Sequence, residues 1–307
     1  MASISADRVL DFSFGDAHLS VRHQQLVVRR EANPEVTTPL ADIAVVVLAS
    51  RRVTLTQSVL SGLMDAGAAV IVCDESMLPS GLMLPLSAHT MQTRRMIAQA
   101  RATLPRRKRI WQQIVRAKVL AQAAALEVRV STDGGLRELA ARIRSGDPEN
   151  IESQAAQRYW PLLFNDPDFL RRRGAPNQNR HLNYGYAVFR ATVGRALCAA
   201  GLHPSLGVHH RSRSNPYCLA DDLIEPWRPL VDAEVAEIVG EHGIDAPLDP
   251  HAKQRLVGLL HERLDHEGES RTTVEWINRS ASSLAACLTE REPLTSMRVF
   301  FPDGLLR

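Results

Sequence analysis

The chain has 307 residues, 45% hydrophobic and 23% charged, with a formal net charge of +3, the profile of a globular protein long enough for one large domain or two. Its longest apolar run, IAVVVLA from Ile43, is far short of the roughly 20 residues that span a bilayer. Four scattered cysteines (Cys73, Cys198, Cys218, Cys287) without a C-x-x-C pair argue against a zinc site or a disulfide framework and favour a reducing cytoplasm; the acid-bearing N-terminus MASISADRVLDFSFGD does not read as a secretory signal.

Residues 1–90 read as a small β-rich domain. VLDFSF, AHLSVRHQQLVVRRE and AVVVLAS alternate or run apolar, with turns expected at Gly15, Asn33-Pro34 and Pro39. TLTQSVLSGLMDAG predicts a short helix closed by Gly67, and AAVIVCD a buried strand. The texture changes near Leu86–Thr90, where the domain boundary is placed. Residues 91–307 then read as a larger all-α domain, so the expected class is α+β. MQTRRMIAQARATLPRRKRIWQQIVRAKVLAQAAALEVR is helical in period and divided by Pro105. GDPENIESQAAQRYWPLLF opens another helix behind an Asp147-Pro148 cap. RRRGAPNQNR is a basic loop, and LNYGYAVFRATVGRALCAA is a helix stopped by Gly201 and Pro204. NPYCLADDLIEPWRPLVDAEVAEIVG starts the next helix, and two more helical stretches follow. No repeat and no phosphate-cradling glycine loop is present.

Charge is segregated along this plan. Residues 96–215 carry 20 basic against 8 acidic side chains, whereas residues 216–307 carry 9 against 17. Of the 37 basic residues all but Lys108, Lys118 and Lys253 are arginine, which pairs bidentately with phosphate and stacks on bases. A polyanion partner and solvated helix faces both fit such a tract; its clustering favours the polyanion.

Chemistry concentrates in GVHHRSRSNPYCLADDLIEPWRP, residues 207–229. Leu219, Leu223, Trp227 and Leu230 form an apolar stripe at helical spacing, with Asp222 and Glu225 neighbours off it. Pro226 and Pro229 loosen the helix beside these acids. Clustered carboxylates repel unless a cation sits among them, and an imidazole from His209 or His210 fits such a shell. Oxygen donors with one nitrogen favour Mg2+ or Mn2+; a solvated acidic helix start is the alternative. Glu152 lies beside the Ile151–Ala155–Tyr159 stripe, half buried, and needs a partner: the ion or an arginine. Tyr159 and Trp160 suit core packing better than base stacking.

GDPENIESQAAQRYWPLLF, LNYGYAVFRATVGRALCAAGLHPSLGVHHRSRSNPYCLADDLIEPWRPLVD and the β-then-α order resemble the CRISPR-associated spacer integrase, the catalytic subunit of CRISPR adaptation, in its type II-like variant. The resemblance covers essentially the whole chain and is strongest over 147–232. It implies that Glu152, His210 and Glu225 hold a catalytic Mg2+ or Mn2+, with Asp222 as an additional acid and His209 as the alternative to His210. It implies 3′-hydroxyl transesterification, inserting captured DNA into a CRISPR array, with associated endonuclease activity. Arg211, Arg213 and Arg228 are candidates to neutralise phosphates, and Arg171, Arg172 and Arg173 to touch double-stranded DNA. The implied assembly is a homodimer joined partly through the β domain, two such dimers bridging a dimer of a small ferredoxin-like adaptation subunit. A stand-alone metal-dependent nuclease on branched or single-stranded DNA, and an arginine-rich scaffold, are the competing readings.

Overall fold

Two four-stranded sheets form before residue 84. One takes the order β4 (Asn33–Pro39), β3 (Gln25–Arg30), β2 (Ala17–Arg22), β6 (Val53–Leu55); the other β1 (Arg8–Phe12), β5 (Ile43–Leu48), β7 (Ala69–Cys73), β8 (Pro79–Met83). The computed structural model describes residues 8–31, 33–75, 79–172, 174–175, 177–289 and 298–301, so Arg173 lies outside the described residues.

Strand β5 explains the second sheet. Its IAVVVL run is buried along nearly its whole length, as a parallel strand covered on both faces requires. Val46 sits opposite Leu10 and Val70 in the parallel pairs with β1 and β7. Ile43, Val46 and Val70 pack with Leu19, Leu26 and Leu63, the last from α1 (Gln57–Asp65), while Ala44, Val45, Val47 and Ile71 join the core of the helices. The β2–β3 hairpin turns at His23 and Gln24, both with positive φ (51° and 61°), the twist a two-residue turn needs.

The expected turns at Asn33-Pro34 and Pro39 lie instead within strand β4. That strand is a sheet edge, where a proline's missing N–H need not be paired. The proline-led strand β8, unforeseen in the sequence, is also an edge.

The rest is helical: α2 (Gln92–Ala100), α3 (Leu104–Val130), α4 (Leu136–Arg142), α5 (Ile151–Phe164), α6 (Asn179–Ala199), α7 (Cys218–Leu223), α8 (Arg228–His242), α9 (Pro250–Gly258) and α10 (Thr273–Thr289). It is not entirely so, because β9 (Arg263–His266) and β10 (Glu269–Thr272) make a hairpin in a stretch read as helical. Pro105 does divide α2 from α3, standing in the first turn of the latter.

Helix α6 is the central post, packed on β5 and β7 on one side and on α8, α9 and α10 on others. A Cβ on Gly185 would come within 2.5 Å of Val231 Cγ1, so the α6–α8 approach depends on glycine there. Among the described residues no helix is long and apolar enough to cross a membrane.

Candidate active site

Several elements converge on α3 along the stretch from Trp111 to Lys118. Helix α5 brings Glu152: Asp147 accepts from the Ile151 and Glu152 amides at 2.9 and 3.0 Å, capping the first turn and fixing where that glutamate emerges. After Leu223 the chain tightens into a 3-10 turn, Glu225–Trp227, before α8 begins at Arg228. The prolines at 226 and 229 thus sit where a new helical start needs no amide donor.

The acids of DDLIE point to different partners. Asp221 pairs with Asn215 Nδ2 at 2.6 Å and lies 3.8 Å from Arg190. Asp222 is fully buried and closes the histidine turn: Oδ2 accepts from the Val208 and His209 amides at 2.7 and 3.0 Å, Oδ1 from the His210 amide at 3.1 Å and from His210 Nδ1 at 2.7 Å. With both oxygens doubly used, Asp222 is fully engaged in holding the turn and the His210 ring. Gly207 makes the turn possible, since a Cβ there would meet His210 O at 2.3 Å.

The two adjacent histidines are divided. The His209 ring stacks on buried Trp111 of α3, centroids 4.0 Å apart and planes 6° from parallel; desolvation lowers its pKa and keeps it neutral. The hydrogen bond to Asp222 raises the pKa of His210, and leaves Nε2 for another partner. This carboxylate-to-Nδ1 arrangement is the one that aims an imidazole at a metal.

Glu225 and Glu152 meet on one cation. Lys118 Nζ of α3 lies 2.6 Å from Glu152 Oε1 and 2.5 Å from Glu225 Oε2. Glu225 is only 7% exposed and Glu152 25%. Arg228 Nε stands 2.9 Å from the other Glu225 oxygen, with its guanidinium 4.4 Å from the Tyr186 ring centroid. Burial alone would raise the Glu225 pKa; Arg228 and Lys118 bring it down to about 2. Burial would likewise depress Lys118, and Glu225 and Glu152 outweigh it, so the lysine stays charged.

Does this donor set suit a divalent ion? Buried Glu225 Oε2 is met by Lys118 Nζ at 2.5 Å but outside hydrogen-bond geometry, and the charges of Glu152 and Glu225 both reach His210. Two carboxylates and one imidazole fit a hard cation. Among the described residues, however, no three His, Cys, Asp or Glu side chains are yet close enough to enclose an ion. Lys118 stands between the two glutamates.

The candidate arginines separate into two groups. Arg211 and Arg213 are exposed and line a groove with His210, Gly207 and Arg107. Arg107, of α3, feels the charge of Arg211, and among the described residues no carboxylate neutralises either. Arg171 and Arg228 instead line a cleft of roughly 290 Å³ behind Glu225, with Asn183, Tyr186, Arg190 and Asp221. Arg171 donates to Asn179 and Asn183 at 2.9 and 2.8 Å, and Arg172 is exposed. Arg228 is thus the partner of Glu225 before it is anything to a phosphate.

Under this cleft Asp232 is buried between Tyr159, whose hydroxyl donates at 3.2 Å, and Tyr186. Tyr159 is core, and Trp160 packs against Phe164 and Phe169. Burial pushes the Asp232 carboxyl up to about 7 against the two hydroxyl hydrogen bonds. Unfolded, it ionises near 3.8. Its contribution to stability is therefore full below about 3.8 and lost as the pH rises to about 7. Urea unfolding should show wild type losing on the order of 4 kcal/mol more than Asp232→Asn between those limits; parallel slopes would refute the assignment.

Lys118, Trp111 and Arg107 are site residues that the sequence reading missed. Trp111, Val115, Lys118 and Gln122 recur at i, i+4, i+7 and i+11 on the buried face of α3. A lysine on that stripe, in a chain with three lysines, was the available signal.

Known proteins resemble the chain along most of its length. The family model described as CRISPR associated protein Cas1 matches residues 13–276. The CRISPR-associated endonuclease Cas1 of Neisseria meningitidis serogroup C is 38% identical over 275 residues, covering 89% of this chain and 90% of that one. A casposase bound to integration product superposes with TM-score 0.73 at 21% identity, covering 94% of this chain and 93% of its own. A Cas6-RT-Cas1–Cas2 complex matches with TM-score 0.74 at 18% identity over 96% of this chain and 36% of its own. At such identities the structural likeness establishes the fold.

Proposed function

The chain belongs to the Cas1 family of CRISPR-associated proteins, and from that premise we propose that it is a metal-dependent DNA integrase of CRISPR adaptation with associated endonuclease activity. The observation that carries the proposal is the meeting of Glu152 and Glu225, from separate elements, on a single cation beside an imidazole whose other nitrogen is tied down.

In this reading Glu152, His210 and Glu225 hold one Mg2+ or Mn2+. The ion, when bound, polarises a phosphodiester and stabilises charge on its oxygens. The rest falls to the protein. Asp222 keeps the His210 Nδ1 proton occupied, so the imidazole presents Nε2 in a fixed direction. Arg107, Arg211 and Arg213 receive the phosphates of a DNA strand along the groove that reaches His210. The 3′-hydroxyl oxygen of the incoming end forms the new P–O bond and gives up its proton. The repeat strand leaves as a 3′-hydroxyl, taking a proton back, so one phosphodiester replaces another. Water in place of that hydroxyl turns the same site into a nuclease, the activity in the name of the Neisseria relative.

The partners follow from the same premise: double-stranded DNA as spacer precursor and as CRISPR repeat, a second copy of this chain, and a small ferredoxin-fold adaptation subunit whose dimer joins two dimers of this chain. The structural neighbour that contains Cas2 supports that partner.

The test is a strand-transfer assay with labelled DNA bearing free 3′ ends, supercoiled plasmid carrying a CRISPR repeat, the small subunit, and Mn2+ or EDTA. Wild type should join label to plasmid only with metal, and His210→Ala should not. Cleavage without joining would favour the stand-alone nuclease. DNA binding without any metal-dependent product would favour a scaffold.

A further inference from the structure

The group between the two glutamates is a lysine in a chain that otherwise uses arginine, 34 residues of 37. Its side chain is 13% exposed, and both of its close contacts are carboxylates named above as metal ligands. The two cations on Glu225 differ in kind. Arg228 is held against Oε1 and over the Tyr186 ring. Lys118 is a compact charge on a four-carbon stem with freedom to swing. Its helix cannot follow, because Trp111, Ile114, Val115 and Val119 are buried around it.

We propose that Lys118 is a built-in counter-ion of the metal-free site, which holds Glu152 and Glu225 together until a divalent cation displaces its ammonium. The inference rests on the metal-site reading above and extends it: the ion does not enter an empty cage but competes with a tethered cation for the same oxygens. Lys118 is thus a positioning residue with two opposed effects. Without metal it relieves repulsion between two poorly hydrated carboxylates. With metal nearby it opposes entry.

The opposition makes the idea testable by a sign. Lys118→Met keeps the stem and removes the charge. The metal-free variant should melt lower than wild type, yet bind Mn2+ about tenfold tighter or more, its competitor being gone. Mn2+ should also raise its Tm further than it raises that of wild type. A purely structural ion pair predicts the reverse, since glutamates that splay apart bind metal less well. Mn2+ binding by Lys118→Met that is equal to or weaker than wild type overturns the proposal.

Isothermal titration with Mn2+ alone, on wild type, Lys118→Met, Lys118→Arg and Glu225→Gln, reads all of this without DNA. Lys118→Arg, which retains a cation, should bind no tighter than wild type. If Glu225→Gln binds as wild type does, the metal-site reading itself fails and takes this inference with it.

A second measurement needs no charge-deleting variant. With lysines at 108, 118 and 253 alone, carbon-labelled lysine gives three side-chain NMR signals, that of Lys118 identified by its absence from Lys118→Arg. Added Mg2+ should move the Lys118 signal and leave the other two in place. A Lys118 signal unmoved at saturating Mg2+ would overturn the displacement.

Discussion

Glu225→Gln should abolish metal-dependent joining, lowering its rate by at least about a thousandfold, because a ligand of an ion that supplies several kcal/mol of charge stabilisation is lost. The same change should destabilise the fold. Lys118 and Arg228 both rest on this carboxylate, at 2.5 and 2.9 Å, and removing one partner of a buried ion pair costs about 3–5 kcal/mol. The two losses separate by experiment. Strand transfer with Mn2+ reads the first, and metal-free urea unfolding reads the second. A variant that keeps joining within tenfold of wild type would remove Glu225 from the site, whatever happened to its stability.

Asp222→Asn should be damaging too, though less so to joining, even though an amide has the same shape as the carboxylate. Each oxygen of Asp222 accepts two donors: the Val208 and His209 amides on Oδ2, the His210 amide and Nδ1 on Oδ1. Whichever way the amide is turned, its NH2 faces two N–H groups. The 207–210 turn then opens, and Tm should fall by roughly 10 °C for a buried, charge-assisted network of this size. Metal affinity or joining should drop by about 10- to 100-fold, the usual cost of freeing the partner of a ligating imidazole. Wild-type Tm in Asp222→Asn would show that the turn is held by other means.

Much of this site was legible in the sequence because its acids and imidazole lie in two short stretches with strong local rules. Asp147 ahead of an apolar period marks the helix carrying Glu152, and the prolines after Glu225 mark the break that turns it inward. The division of the two histidines was not legible. Alternation said that only one faces the site, but the choice is made by Trp111, almost a hundred residues earlier in the chain. Lys118 was hidden by company: in an arginine- and alanine-rich helix that also carries Lys108, a lysine reads as solvated surface, and only its register on the buried face shows otherwise.

Net charge also concealed part of the arrangement. The basic middle segment is spent partly on the protein itself: at the surface Arg129 meets Glu237 and Arg137 meets Glu127, and buried Arg195 donates to Gly67 O. Arg107, Arg211 and Arg213 face a groove beside the histidine. In the fold, β4 and β8 escaped because proline demotes a strand in sequence, yet costs nothing at an unpaired edge.

The central claim is that Glu152, His210 and Glu225 take up one divalent ion, on which the chemistry depends. Crystals grown with Mn2+ and measured for anomalous scattering test it most directly. The account predicts a single strong peak within coordination distance of His210 Nε2 and of carboxylate oxygens from Glu152 and Glu225, with Lys118 Nζ drawn away from both. Glutamates still closed on Lys118 at saturating Mn2+, with no peak beside His210, would contradict it.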